Sequence, residues 1–261
     1  WVVIFFVLKN RKSSRVWDLS RVIPLTLISG FMINLGISLA VQSIPMALIV
    51  GGLLATAGLV HFLYSLFHRC DDCQTVFGSA NWWIGVSFVV LVFLARIISS
   101  PISGWDARSI WFFHAKMIYT AKAIGLSAGW QNLEVLSFHP DYPKLLSLLA
   151  AQIAYIAGFW NEYLPKLALF FILTPALMLL FANAKWRFSF FIFLLLVPFS
   201  FNRVIWNGYM DGLLAFYVAL AVLFLSRYML SSSFWDMLSG LLSVTLLLYL
   251  KNAGILAALV I

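Results

Sequence analysis

Long apolar runs separated by short polar stretches make up the dominant pattern in this chain. They extend over residues 22–41, 46–67, 82–100, 164–183, 188–201, 212–230 and 237–261, and residues 1–8 have the composition of the end of another run. Because about 20 apolar helical residues cross the hydrocarbon core of a bilayer, the pattern predicts an all-α, polytopic transmembrane helical protein. Gln42-Ser43-Ile44-Pro45 predicts a tight turn between two spans, since proline is tolerated where a helix restarts. Residues 231–236 predict a second loop.

Basic residues indicate which helix ends face the cytoplasm. They gather in short connections, as the positive-inside rule expects. These residues are Lys9, Arg11, Lys12, Arg15, Arg21, His68, Arg69, Lys185 and Arg187. The resulting topology places residues 104–143 and 202–211 together on the outer side of the membrane.

One apolar run is too short to fit this series. Residues 144–158, between Pro143 and Gly158, number about 15, and runs near that length are more often re-entrant or interfacial than spanning. If this run spanned, Lys185 and Arg187 would lie outside. We therefore predict that it does not span.

The outer segment 104–143 is the longest polar stretch, and it holds three of the nine acidic residues and two of the four histidines. Within it, residues 107–122 predict an amphipathic helix that lies in the headgroup plane. Its apolar face comprises Ile110, Trp111, Met117, Ile118 and Ala121, and its polar face comprises Arg108, Ser109, Lys116, Tyr119 and Lys122.

Composition excludes a soluble domain. Hydrophobic residues make up 63% of the chain and charged residues 10%, against about 45–50% and about 25% in soluble domains. The net charge of +8 reflects the basic cytoplasmic loops, and no aromatic-plus-basic motif indicates nucleic-acid binding. The chain begins at Trp1 without a methionine and stops in apolar residues at Ile261, so we expect a fragment cut within a helix at each end.

The two cysteines lie in the predicted cytoplasmic stretch, as Cys70-Asp71-Asp72-Cys73. A single pair with this spacing is compatible with half a zinc site, with a redox pair, or with two reduced thiols. The sequence leaves these alternatives open.

Four short motifs follow one another in the second part of the chain. They are Gly104-Trp105-Asp106-Ala107, His139-Pro140-Asp141-Tyr142-Pro143-Lys144-Leu145, Tyr209-Met210-Asp211-Gly212-Leu213-Leu214-Ala215-Phe216 and Leu250-Lys251-Asn252-Ala253-Gly254. In these motifs, residues 83–261 resemble the integral-membrane glycosyltransferases of the GT-C fold, close to the branch of protein O-mannosyltransferases and lipid A aminoarabinose transferases. The resemblance leaves residues 1–82 as roughly three additional helices, and the family's C-terminal helices and soluble domain are missing.

The resemblance implies a function. It implies transfer of a sugar from a polyprenyl-phosphate donor to a hydroxyl or amine of a lipid, protein or glycan acceptor. The implied setting is the outer face of a membrane, in bacteria the inner membrane. Asp106 matches the family's catalytic acid, and Asp211 matches a second acid at the start of a later helix.

The chemistry of sugar transfer suits these residues. A carboxylate is needed to accept the acceptor proton, and Asp106 is positioned for that role, although an aspartate before residues 107–122 is also a good helix cap. Asp211 has the same two interpretations, and Tyr209 and Asn207 favour a role in positioning the sugar or acceptor. His139 and Asp141 either line the reaction chamber or form a rigid turn before the next helix.

Two ligand questions remain open in the sequence. A divalent metal ion is a possible cofactor, held by Glu134, His139 and Asp141, although a metal site needs three or four ligands. The other histidine of the segment, His114, falls on the apolar side and is expected to be packed. The leaving phosphate requires a cation, and the candidates are Arg108, Lys116, Arg203 and Lys251. Lys251 lies within an apolar run, where a lysine either has a function or extends its ammonium to the headgroups.

Two other classes of protein remain as alternatives. A transporter or lipid flippase would place its charges along a path between repeated halves, and this chain shows no repeat. A non-catalytic membrane assembly subunit would keep the fold without the chemistry.

Overall fold

The computed structural model describes residues 16–68, 74–76, 80–125, 128–182 and 208–261. Its long helices are α1 (Leu19–Val41), α2 (Ile44–His68), α3 (Ala80–Ile98), α7 (Leu167–Ala182), α8 (Met210–Ser231) and α9 (Phe234–Leu250). Shorter helices are α4 (Phe112–Ala121), α5 (Leu133–Leu136), α6 (Leu145–Ala157) and α10 (Ala253–Val260). A π-helical turn (Ala107–Trp111) precedes α4, and a 3-10 turn (Leu164–Lys166) precedes α7.

The helical class predicted from the apolar runs is confirmed. Three helical stretches in the described chain are long and apolar enough to cross a membrane, namely Ser20–Val41, Leu164–Phe181 and Met210–Ser231. A helix of 22 residues is about 33 Å long, close to the ~30 Å of the hydrocarbon core. The two strands were not predicted: β1 (Val16–Asp18) pairs in parallel with β2 (Gln74–Val76).

The predicted turn at Gln42 is present. Helix α1 ends at Val41 and α2 begins at Ile44, with Pro45 as its second residue. Gln42 adopts a left-handed backbone conformation with φ +55°. The amide of Ile44 donates to the carbonyl of Lys122 at 3.0 Å, which attaches this turn to the end of α4.

The short apolar run forms helix α6, which has only 13 residues and is therefore about 20 Å long. It ends where Gly158 takes a φ of +81°, a conformation that glycine adopts without strain. Helix α6 packs against α4 and α7. Its Gln152 exchanges amide hydrogen bonds of 2.7 and 3.1 Å with Asn34 of α1. A helix of this length does not reach across a bilayer, and its place in the membrane topology stays a prediction.

The last predicted span was wrong as a single helix. Helix α9 ends at Leu250, Lys251 is extended with φ −159° and ψ 152°, and α10 begins at Ala253. Helix α10 then runs back along α8 and α9. A Cβ on Gly254 would collide with the carbonyl oxygen of Leu247, so this close reversal requires glycine.

The predicted loop 231–236 is shorter than expected. Only Ser232 and Ser233 separate α8 from α9, and Asp236 belongs to the first turn of α9, where it is buried. Its carboxylate lies 3.5 Å from Arg21 of α1 and 3.5 Å from Arg227 of α8. These ion pairs join three helices, because a buried carboxylate is stable only with cationic or hydrogen-bonding partners.

Helices α1 to α4 and α6 to α9 contribute to the core of the bundle. Helix α1 belongs to the N-terminal part that lies outside the family resemblance, yet it packs against both α7 and α9. Tyr217 of α8 donates its hydroxyl to the carbonyl of Ile172 in α7 at 2.7 Å. The carbonyl of Ile172 lies about one turn before Pro175 of α7. Because proline has no backbone N–H, this part of α7 lacks one hydrogen-bond donor.

Helix α9 separates two ends of the molecule. Asp236 lies at one end, which we call the distal end, and Lys251 follows the other end, about 22 Å away. The end that carries Lys251 also carries the 104–143 segment, and we call it the site end. Several sequence predictions lie outside the described residues: the basic residues 9–15, Cys70 and Cys73, Lys185 and Arg187, the span 188–201, and the residues Arg203 and Asn207.

Candidate functional site

Asp106 stands at the beginning of the helix that continues into α4. Its backbone is helical (φ −55°, ψ −39°), and its side chain makes no capping hydrogen bond. The cap interpretation is therefore wrong. The carboxylate is partly exposed at the site end, and it does not stabilise the helix by a capping hydrogen bond.

The predicted amphipathic helix buries most of its apolar face, and no residue of its predicted polar face is buried. Ile110, Trp111 and Ile118 of its apolar face are buried, but Ala121 is exposed. Further residues that were not assigned to that face are also buried: Phe112, His114 and Ala115. They pack against α6. The apolar side of the helix thus packs on protein, and its position relative to the headgroups stays a prediction.

A second acidic segment packs directly on the first. Gly208 has a φ of +88°, and a Cβ there would lie 2.7 Å from the Cβ of Ala107 and 2.7 Å from the ring of Phe112. Glycine is required for so close an approach. Two residues later Met210 begins α8, and Asp211 lies in its first turn. The motifs that contain Asp106 and Asp211 are therefore neighbours in space.

Asp211 is paired with Lys251. The Nζ atom of Lys251 lies 2.7 Å from Oδ1 of Asp211, and the two side chains are 21% and 52% exposed. The lysine extends to this carboxylate because α9 ends at Leu250. The sequence left open whether this lysine has a function or extends its ammonium to the headgroups, and the structure gives the ammonium a carboxylate partner.

The residue after Lys251 connects the site to the motif that contains Asp141. Asn252 donates from Nδ2 to Oδ2 of Asp141 at 2.9 Å. Asp141 is exposed and belongs to the turn before α6. Lys251 and Asn252, between α9 and α10, thus each contact one carboxylate. The two carboxylates belong to motifs that lie far apart in the sequence.

His139 and Tyr142 form an aromatic surface beside Asp141. Their rings stack with centroids 4.7 Å apart and planes at 19°, and Tyr142 also contacts Trp111 at 5.4 Å. His139 has a φ of +55°, which is uncommon for a residue other than glycine. His139 is exposed and Tyr142 is half-buried, so the stacked pair lies at the surface of the site end.

Sequence reasoning missed Lys144 as a site residue. Its Nζ donates to the carbonyl of Pro140 at 2.8 Å and to Nδ1 of His114 at 3.2 Å. It also lies 4.4 Å from the ring centroid of Trp130, a favourable cation–π distance. Lys144 thereby ties the turn that carries His139 and Asp141 to α4. The available signal was a lysine directly before an apolar run, where a cation needs partners.

His114 is packed, as the sequence indicated. It is fully buried, and its Nε2 donates to the carbonyl of Phe138 at 2.9 Å. Burial, together with the ammonium of Lys144, lowers the pKa of His114 from 6.5 to about 3, against smaller raising effects of the Phe138 carbonyl and Asp141. Burial also lowers the pKa of Lys144 to about 8, although Asp141 opposes that change.

The segment before Asp106 is held in place by side chains. Lys166 donates from Nζ to the carbonyl of Ser100 at 2.8 Å, and Arg108 donates from Nε to the carbonyl of Ile102 at 2.8 Å. The guanidinium of Arg108 is therefore partly occupied by the backbone. Lys116 is exposed on α4.

The described residues contain no cluster that would support the metal hypothesis. No three His, Cys, Asp or Glu side chains among those residues come together to hold a metal ion. Glu134 is exposed in α5, while His139 and Asp141 are engaged with Tyr142 and Asn252. The three residues do not form a shared coordination shell.

The chain was also compared with known proteins. No family model, no curated protein and no solved structure matches it.

Proposed function

We propose that the chain is part of a membrane glycosyltransferase that moves a sugar from a polyprenyl-phosphate donor to an acceptor on the outer side of a membrane, in bacteria the inner membrane. One observation carries the proposal. Lys251 and Asn252, at a break between two helices, contact Asp211 and Asp141 of two other motifs, and the Asp211 segment packs on the Asp106 segment. The residues of the four motifs that resemble the GT-C enzymes therefore gather at one end of the bundle.

The reaction needs a base and a cation. The acceptor oxygen or nitrogen attacks the anomeric carbon, the bond from that carbon to the phosphate oxygen breaks, and the acceptor proton goes to a carboxylate. Asp106 is our candidate for this base because its carboxylate makes no capping bond. The bonding electron pair leaves on the phosphate oxygen, where a cation must stabilise the charge.

Lys251 is our candidate for the phosphate contact. It is the cation at the helix break, and its side chain is 21% exposed, so a ligand can reach it. Its present partner is a carboxylate, and a lipid phosphate is an anion that exchanges with or joins Asp211 in that contact. Once released, Asp211 can accept hydrogen bonds from hydroxyls of the sugar or acceptor.

The experiment is turnover in nanodiscs with a panel of polyprenyl-phosphate sugars and envelope glycans, lipids and peptides as acceptors. The expected product is free polyprenyl phosphate together with an acceptor whose mass has increased by one sugar. Translocation of the donor without cleavage would instead indicate a lipid flippase. Donor binding without cleavage or translocation would indicate a non-catalytic subunit.

A further inference from the structure

We propose that Lys166 is a positioning residue for Asp106, although it lies in another part of the chain and does not touch the candidate site. This inference rests on the proposed function, because Asp106 is the candidate base there. The ammonium of Lys166 fixes the segment 100–104, from which the helix that carries Asp106 begins.

The ammonium is enclosed by protein. Lys166 ends the 3-10 turn before α7 and is 0% exposed. Its Nζ donates to the carbonyl of Ser100 at 2.8 Å and lies 3.4 Å from the hydroxyl of the same residue. Two of its three donors are thus directed at Ser100.

Two further bonds hold the same segment. The amide of Ile102 donates to the carbonyl of Glu162 at 3.0 Å, and Arg108 donates from Nε to the carbonyl of Ile102 at 2.8 Å. The backbone of the segment is therefore held from the α7 side and from the helix that it leads into. Only four positions separate Ile102 from Asp106, so a shift of the segment moves the carboxylate.

The charge of Lys166 is unusual for a purely structural contact. No carboxylate of the described chain lies within ion-pair distance of its Nζ, and the neighbouring cation Arg96 opposes its charge. Lys166 also belongs to a stretch apolar enough to cross a membrane. Ionisable residues enclosed in such stretches mark functional positions by default. A charged donor holds a carbonyl more strongly than a neutral donor does, and that strength keeps the segment in one position.

A positioning role and a purely structural role predict different kinetics. Lys166 does not contact the donor, so Lys166→Met should leave the KM for the polyprenyl-phosphate sugar unchanged. It should lower kcat, by up to about 100-fold, because small displacements of a catalytic group have effects of that size. Lys166→Arg, which keeps a cationic donor, should restore part of kcat. Arg96→Met is the matched control, since it removes a neighbouring exposed cation that does not hold the segment, and it should leave kcat unchanged.

A second measurement does not depend on activity. Hydrogen exchange followed by mass spectrometry should show faster exchange at the Ile102 amide in Lys166→Met than in wild type or Arg96→Met. Lys166→Gln, which keeps a neutral donor, provides the same comparison if the methionine variant does not fold.

The outcomes separate the two proposals. Faster exchange with lower kcat and unchanged KM supports the positioning role. An unchanged kcat in the variant, with wild type active, overturns it, whatever the exchange shows. If wild type transfers no sugar, the proposed function fails and the catalytic part of this inference fails with it, while the exchange data still report whether Lys166 holds the segment.

Discussion

Lys251 Nζ lies 2.7 Å from Asp211 Oδ1, a contact between residues 40 positions apart. It joins the first turn of α8 to the break after α9. Because both side chains are partly exposed, the ion pair contributes little to stability, about 0.2–1 kcal/mol. Removing the pair should therefore change protein stability little, so that its effect on donor binding can be measured separately from its effect on stability.

The first prediction concerns this lysine. Lys251→Met should raise the KM for the polyprenyl-phosphate donor, since it removes the cation that we assign to the phosphate. Lys251→Arg should keep part of the function, because it preserves the charge. Donor titration in nanodiscs measures both. Unchanged KM and kcat in the methionine variant would contradict the phosphate role and leave Arg108, Lys116 and Arg203 as candidates.

The second prediction concerns Asp106. Asp106→Asn should lower the rate of sugar transfer by about 10²–10⁴-fold, which is the usual contribution of a general base. Stability should change little, because the carboxylate makes no capping bond. Glu162→Gln is the matched control, since it neutralises another exposed acid at the site end. A rate above about a tenth of wild type in the Asp106 variant would assign the base to another group.

The sequence predicted helices better than it predicted contacts. Apolar runs fix where helices lie, because burial in lipid requires about 20 such residues. They do not show that a run breaks at Lys251, since a lysine near the end of a span is also tolerated when it extends to the headgroups. The break depends on partners, Asp211 and Asp141, that are 40 and 111 residues away from Lys251 and Asn252.

Local sequence patterns also gave incomplete or wrong predictions where contacts with distant residues determine the environment of a side chain. An aspartate before a helix predicts a cap, but the backbone of Asp106 is already helical. Lys144 was read as the start of an apolar helix, whereas its role follows from His114 and Trp130, which reach it from other parts of the chain. A single sequence contains no information about such pairings.

The third prediction concerns the side of the membrane on which the site lies. With Cys70 and Cys73 replaced by serine, Ser137→Cys should react with a membrane-impermeant thiol reagent added to intact cells, and Ser232→Cys should not. Both serines are exposed, and they lie at the site end and the distal end respectively. The positive-inside rule assigns the distal end to the cytoplasm because Arg21 is there.

Labelling of both introduced cysteines in intact cells would contradict that topology. Permeabilised cells provide the control, since both positions should then react. Labelling of Ser232→Cys alone would place the site in the cytoplasm and exclude an outer-face transferase.

The last prediction concerns pH and His114. The folded protein holds this side chain neutral, because burial lowers its pKa to about 3 from 6.5. As the pH falls below 6.5, the unfolded chain binds a proton that the folded chain does not, so folding stability should decrease through this window down to about pH 3. Within this window, each pH unit lowers the free energy of unfolding by about 1.4 kcal/mol for one proton.

Thermal unfolding in detergent measures this effect. As the pH falls across this range, the stability of wild type should decrease more steeply than that of His114→Gln. Phe113→Leu is the packing control, because it disturbs the adjacent side chain without removing a titrating group, and its slope should match wild type. Equal slopes for wild type and His114→Gln would mean that the imidazole becomes protonated in the folded protein, and that Lys144 then loses the acceptor at Nδ1.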